Sequence, residues 1–341
     1  MTEFKTLLGR PEYAFLREDP RLGKRIMLLG VSGSHGYGTN REDSDVDLRG
    51  VTLNLPSDLL GLTAFEQYEE RKTDTVVYGF MKMVRLLLDC NPNIIEILGL
   101  DDDQYLIRSD QGEDLLAHRD LFLSARAADS FGHYAAAQLR RLQNAVARDK
   151  LTQAERERHI YNSVKNALRN FTKDHENWEK GSLRLYIDAA ETAGLDEEIF
   201  MDADFRHYPL RQYNEAMNTM TSVVREYDRV GHRNHKKDDN HLNKHAMHLV
   251  RLFMTGIDIL EKGEIRTRRS GDDLDLLLRI RNGEFMEDGM FVPEFYAIVS
   301  EYERRFEAAR KTTNLPDRPD MDKVGAFVER INRKAIEENF S

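Results

Sequence analysis

The chain has 341 residues, 32% charged and 40% hydrophobic, with 60 acidic side chains against 50 basic ones and a net charge of −10. That length allows two domains with sizeable cores, and the acidic balance excludes a general, sequence-independent DNA binder, which needs a basic footprint, while leaving local basic grooves open. The one cysteine, Cys90, excludes an intrachain disulfide and is expected of a protein in a reducing cytoplasm.

The opening residues Met1 to Lys5 are not laid out as a signal peptide, and no apolar run approaches the length of a membrane span, so no membrane partner is expected. Ile26-Met27-Leu28-Leu29-Gly30-Val31 predicts a short buried strand ending near a turn. Gly33, Gly36 and Gly38 then let the backbone turn sharply and come close to a ligand. Ser34 and Thr39 add hydroxyls, and the exposed N–H groups of such a loop suit an anion. His35, inside the loop, suits either a phosphate hydrogen bond or a cap on the turn.

Asp45 and Asp47 follow at i and i+2. On a strand this spacing puts both carboxylates on one face, about 6.5–7 Å apart along the backbone, with Val46 and Leu48 turned to a core. Two carboxylates converging this way can bind a hard cation such as Mg²⁺ or Mn²⁺. Two such ions about 3.5–4 Å apart clamp the attacking and leaving oxygens of a phosphoryl displacement. A bare Asp-x-Asp is more often a solvated strand edge. The order strand, Gly-Ser, ten-residue gap, Asp-hydrophobic-Asp-hydrophobic is far more specific.

The string Gly33-Ser34-His35-Gly36-Tyr37-Gly38-Thr39, with Ser44-Asp45-Val46-Asp47-Leu48-Arg49-Gly50, resembles the signature of the DNA polymerase β-like nucleotidyltransferase superfamily. It is closer still to the YcgL/RlaP-type predicted nucleotidyltransferases. Asn91-Pro92-Asn93-Ile94-Ile95-Glu96, Lys244-His245-Ala246-Met247-His248-Leu249-Val250-Arg251, Leu260-Glu261-Lys262-Gly263-Glu264 and Ile280-Arg281-Asn282-Gly283-Glu284 extend the likeness to about residue 285. The resemblance implies a third carboxylate acting as metal ligand or base. Asp74, in Lys72-Thr73-Asp74-Thr75-Val76-Val77-Tyr78, is the candidate, against a plain strand-initiating role. Glu69 and Glu70 are nearby alternatives in a charged, solvated run.

Further along, Phe80–Leu88 and Asn93–Leu100 read as helices broken at Pro92. Cys90 follows Leu86-Leu87-Leu88, where packing is the expected role. After Asp101-Asp102-Asp103 the chain is helix-like over 129–148, 151–178, 213–227, 242–260, 293–309 and 324–337. The expected fold class is α+β: a small mixed-sheet nucleotidyltransferase domain over 1–100, then a mostly α-helical domain over 101–341 that completes the active-site cleft.

Lys244, His248 and Arg251 share one helical face, and with the resemblance Lys244 and Arg251 become candidates for triphosphate oxygens rather than an ordinary solvated face. Lys165 and Arg169 are a second pair. Arg225, Arg229, His232, Arg233, His235, Lys236 and Lys237 form a basic cluster that suits a nucleic-acid backbone or a solvated loop. The histidines from His232 to His248 lack a zinc pattern.

The expected function is a metal-dependent nucleotidyltransferase. It moves a nucleoside monophosphate from a nucleoside triphosphate to an acceptor hydroxyl, foremost a nucleic-acid 3′ end and RNA in particular. Asp45, Asp47 and Asp74 are the expected catalytic carboxylates and metal ligands. Gly33, Ser34, Lys244 and Arg251 are the expected nucleotide contacts. The alternatives are a protein-nucleotidylating regulator or toxin–antitoxin component, and a non-catalytic nucleotide-binding module.

Overall fold

The computed structural model describes residues 4, 6–42, 44–149, 183–204, 208–231 and 239–337, together with 152, 154, 155, 157, 158, 160–162, 164 and 165. Its elements in chain order are β1 (Ile26–Val31), α1 (Gly33–Tyr37), β2 (Leu48–Thr52), β3 (Gln67–Glu70), β4 (Thr75–Gly79), α2 (Phe80–Leu88), α3 (Pro92–Ile95), β5 (Tyr105–Arg108), α4 (Asp110–Ala117) and α5 (Arg126–Asp149). After these come β6 (Leu183–Ala189), β7 (Glu197–Ala203), α6 (Leu210–Gly231), α7 (Asp239–Lys262), α8 (Gly271–Arg281), the short strands β8 (Met286–Glu287) and β9 (Met290–Phe291), α9 (Pro293–Thr312) and α10 (Met321–Glu337).

The chain divides into two compact units, one of residues 1–140 with 243–341 and one of residues 141–242. The first holds a mixed five-stranded sheet in the order β3-β4-β2-β1-β5. β2 lies antiparallel to β1 and parallel to β4, with Leu48 opposite Thr75 and Arg49 opposite Val76. The apolar run of β1 is buried at every position. One sheet face, with Leu29, Val31, Leu48 and Val77, packs on the N-terminal residues Leu7, Tyr13, Leu16 and Leu22. On the other face Gly30 lies so close to Leu100 that a side chain there would overlap it. Helix α2 buries Phe80, Met83, Val84 and Leu87, the i, i+3, i+4, i+7 stripe of an amphipathic helix.

The mixed sheet early in the chain and the helical later part agree with the expected fold class. Three details differ. Asp45 and Asp47 lie in the extended segment before β2, not inside it. The sheet gains its edge strand β5 from residues assigned to the mostly helical domain over 101–341. β6 and β7 form an antiparallel hairpin in the second unit, with Tyr186 and Phe200 stacked at 5.9 Å. Most of the helix expected over 151–178, and with it Arg169, lies outside the described residues, as do His232, Arg233, His235, Lys236 and Lys237. Among the described residues no helix is long and apolar enough to cross a membrane.

Candidate active site

The site forms where the C-terminal end of β1 meets the N-terminal ends of β2 and β4. β1 runs straight into α1, whose first residue, Gly33, has φ +59°, a left-handed backbone that glycine adopts at no steric cost. Glycine is needed there for a second reason: a Cβ would overlap the Asp47 carboxylate, which lies directly over the loop. α1 ends at Gly38, φ +75°, and Thr39 N donates to Ser34 O at 2.9 Å to close the turn. The Gln104 amide supports it from behind, donating to the carbonyls of Gly36 (2.9 Å) and His35 (3.2 Å).

Parallel pairing of β2 with β4 brings the carboxylates together. Because Leu48 sits opposite Thr75, the preceding residues, Asp47 and Asp74, are neighbours despite being 27 positions apart. Their carboxyls share a hydrogen bond. Burial, then that bond and the charge of Asp74, push the Asp47 carboxyl up to about 6, opposed by Arg49 and Lys244. Accepting the bond from Asp47 lowers the Asp74 carboxyl below its ordinary value, and Arg49 adds to that. Asp74 itself caps a helical turn with φ +41°.

Two cations face this pair. Arg49 Nη2 donates to Asp74 Oδ1 at 2.9 Å, and its Nη1 reaches the Asp74 carbonyl. Lys244, exposed on α7, acts on both carboxylates. Arg49 is absent from the residues expected at the site, yet it stands two residues after Asp47, and the i, i+2 spacing read for Asp45 and Asp47 is the signal that finds it.

Ser34 is half-buried in the first turn of α1, beside the glycine over which Asp47 lies. Asp45 is exposed, two residues before Asp47. His35 lies with its Nε2 3.3 Å from the Ser44 carbonyl and its ring edge-on to Phe4, which ties the loop to the aspartate-bearing segment.

Arg251 is placed differently from the expectation. It is 7% exposed, its guanidinium carbon lies 3.6 Å from the Tyr37 ring centroid, and its Nη2 is 2.7 Å from His248 Nδ1 and 3.7 Å from Glu96. Its charge is spent beneath the glycine loop, supporting Tyr37, because that turn of α7 packs into the core instead of lining the surface. Arg269, 2% exposed, donates its backbone N–H to the Tyr37 carbonyl at 3.3 Å while its side chain pairs with Asp258 at 2.6 Å. Glu96 and Arg269 are thus parts of the loop's foundation.

Among the described residues no three His, Cys, Asp or Glu side chains converge as a ready-made metal cage. The donor set still fits a magnesium ion, which is commonly held by one or two carboxylates with water and substrate phosphates. Two carboxyls forced to share a proton are a pair that a divalent cation would relieve.

Residues 13–168, which carry the loop and all three aspartates, match the RlaP family model, described as an RNA repair pathway DNA polymerase beta family. The chain is an enzyme of the polymerase β-like nucleotidyltransferase type. No curated protein and no solved structure matches it. Lys244 and Arg251 of this nucleotidyltransferase lie beyond the matched segment, so their placement rests on the geometry alone.

Proposed function

We propose that this nucleotidyltransferase moves a nucleoside monophosphate from a nucleoside triphosphate to a nucleic-acid 3′ hydroxyl, RNA foremost, and releases pyrophosphate. The observation that carries the reading is the Asp47–Asp74 pair, lying over Gly33 and faced by Arg49 and Lys244.

Residues 1–100 carry the carboxylates and loop in this reading, and residues of 101–341 complete the site, Lys244 among them. Asp47 and Asp74 would hold the divalent ion, with Asp45 as a further carboxylate. When bound, such an ion supplies charge neutralisation at the phosphates. The backbone N–H groups of Gly33 and Ser34, the Ser34 hydroxyl and the Lys244 ammonium bind and orient the triphosphate. Arg49 holds Asp74 in place. Arg251 and Glu96 keep Tyr37, and so the loop, in register. The shared proton leaves the carboxyl pair as pH rises through about 6. Asp74 is then free at neutral pH to take the proton of the acceptor hydroxyl. The protein's contribution is alignment and charge more than covalent chemistry. A single, buried cysteine suits a cytoplasmic enzyme.

Incubation with each α-labelled triphosphate, Mg²⁺ or Mn²⁺, and RNA, DNA or protein acceptors tests the reading. Label in a nucleic-acid end, lost in Asp47→Asn, is the expected result. Label appearing only in protein, or none despite measurable triphosphate binding, overturns the acceptor or the activity respectively.

A further inference from the structure

Asn91 does two jobs. Its Oδ1 accepts the Asn93 N–H at 3.1 Å and caps α3, and its Nδ2 donates to the Tyr134 hydroxyl at 3.1 Å. Tyr134, on α5, is therefore held by its hydroxyl while the residue stays 37% exposed. A pinned aromatic face open to solvent loses little freedom when a ligand stacks on it.

The sheet order places this residue relative to the chemistry. Tyr78 stands on β4, the strand that begins at Thr75, directly after Asp74. It is half-buried, next to Val51 of β2 and Gln67 of β3. Burial raises its hydroxyl pKa, Arg49 opposes the rise, and Glu69 and Tyr134 add to it, so Tyr134 lies within electrostatic reach of Tyr78. One turn after Tyr134, Gln138 bonds His245 of α7 at 2.7 Å, next in sequence to Lys244. Gln138, four residues after Tyr134 on α5, thus ties that helix to the turn of α7 that carries Lys244.

The direction of attack separates the ligands. The glycine loop leaves β1, on one side of β2, and β4 lies on the other. In-line displacement requires the attacking oxygen to enter opposite the leaving pyrophosphate. Phosphates held at the loop then bring the acceptor in from the β4 side, toward Tyr78 and Tyr134.

We infer that Tyr134, pinned by Asn91, is the stacking platform for a nucleobase near the 3′ end of a single-stranded nucleic-acid acceptor. This rests on the proposed nucleotidyl transfer and names the acceptor's subsite within it. Aromatic faces accept any base by stacking, so the platform positions the strand without reading its sequence.

The test is fluorescence anisotropy of a labelled single-stranded RNA with a free 3′ hydroxyl, and of its DNA counterpart, without triphosphate. Tyr134→Ala should weaken binding about tenfold, while Tyr134→Phe, which keeps the ring but loses its bond to Asn91, should weaken it by no more than about threefold. Triphosphate binding by Tyr134→Ala should be unchanged, and circular dichroism should confirm its fold. Tyr134→Trp should bind at least as well, with its indole emission quenched when the oligonucleotide is added. Equal RNA and DNA affinities support the platform, since stacking ignores the 2′ hydroxyl; a preference for either that Tyr134→Ala weakens about tenfold supports it too. Wild-type affinity in Tyr134→Ala, equal losses in the Phe and Ala variants, or no oligonucleotide binding by wild type overturns the inference. Failure of nucleotidyl transfer with oligonucleotide binding intact instead overturns the proposed function and leaves the platform standing.

Discussion

Replacing Asp47 by Asn should make the metal-free protein more stable while removing its activity. The carboxyl that holds the shared proton is raised from 3.8 to about 6. Between those values the folded chain keeps a proton that the unfolded chain has released, so stability falls as pH rises through the window and the full penalty applies above it. The difference corresponds to about 3 kcal/mol for a group shut away from water. Asp47 is only half-buried, and solvent screening brings this down to about 1–2 kcal/mol. Asn removes the penalty, and its amide can still donate to Asp74. Urea denaturation followed by circular dichroism in a chelating buffer should therefore show Asp47→Asn more stable at pH 7 by that amount, and no more stable than wild type at pH 4. Magnesium should reverse the order at pH 7, because it stabilises only the chain that binds it. A variant less stable than wild type at pH 7 in chelator, or a gain equally large at pH 4, would refute the carboxyl-pair account.

Other substitutions probe the rest of the site. Gly33→Ala should abolish triphosphate binding, measured by calorimetry, since its Cβ would displace the Asp47 carboxylate and strain a left-handed backbone. Lys244→Ala, at an exposed position, should leave the melting temperature unchanged while raising the triphosphate KM about ten- to a hundredfold, the worth of a charge-assisted hydrogen bond. Arg251→Met should leave Glu96 buried without its partner and cost about 3–5 kcal/mol of stability by denaturant titration. Ser34→Ala should reduce turnover less than Asp47→Asn, because one neutral hydrogen bond is worth about 0.5–1.5 kcal/mol.

The glycine loop and the strand before it were legible in the sequence because their causes are local. A buried run of Ile, Met, Leu and Val, glycines where the backbone turns left-handed, and a hydroxyl at the turn all act within a few residues. The Asp-x-Asp pattern was legible for the same reason, and so was the α2 stripe. Asp74 was found by family resemblance and strand composition, and only parallel pairing of β2 with β4 shows why it meets Asp47. Register is a property of two strands at once, which neither strand encodes alone. Arg49 sat in plain view two residues after Asp47, and its role became visible when Asp74 arrived beside it. Arg251 shows the reverse: helical spacing put it with Lys244, but the core on which α7 packs turned it under Tyr37. Which part of an amphipathic helix faces a ligand and which faces the core depends on what the rest of the chain packs against it. The sequence by itself determined the groups on offer, a glycine turn with its hydroxyls beside acidic side chains. The tertiary structure decided which two carboxylates share a proton, which cations reach them and where the tyrosines stand, because charge and stacking act through space between residues far apart in the chain.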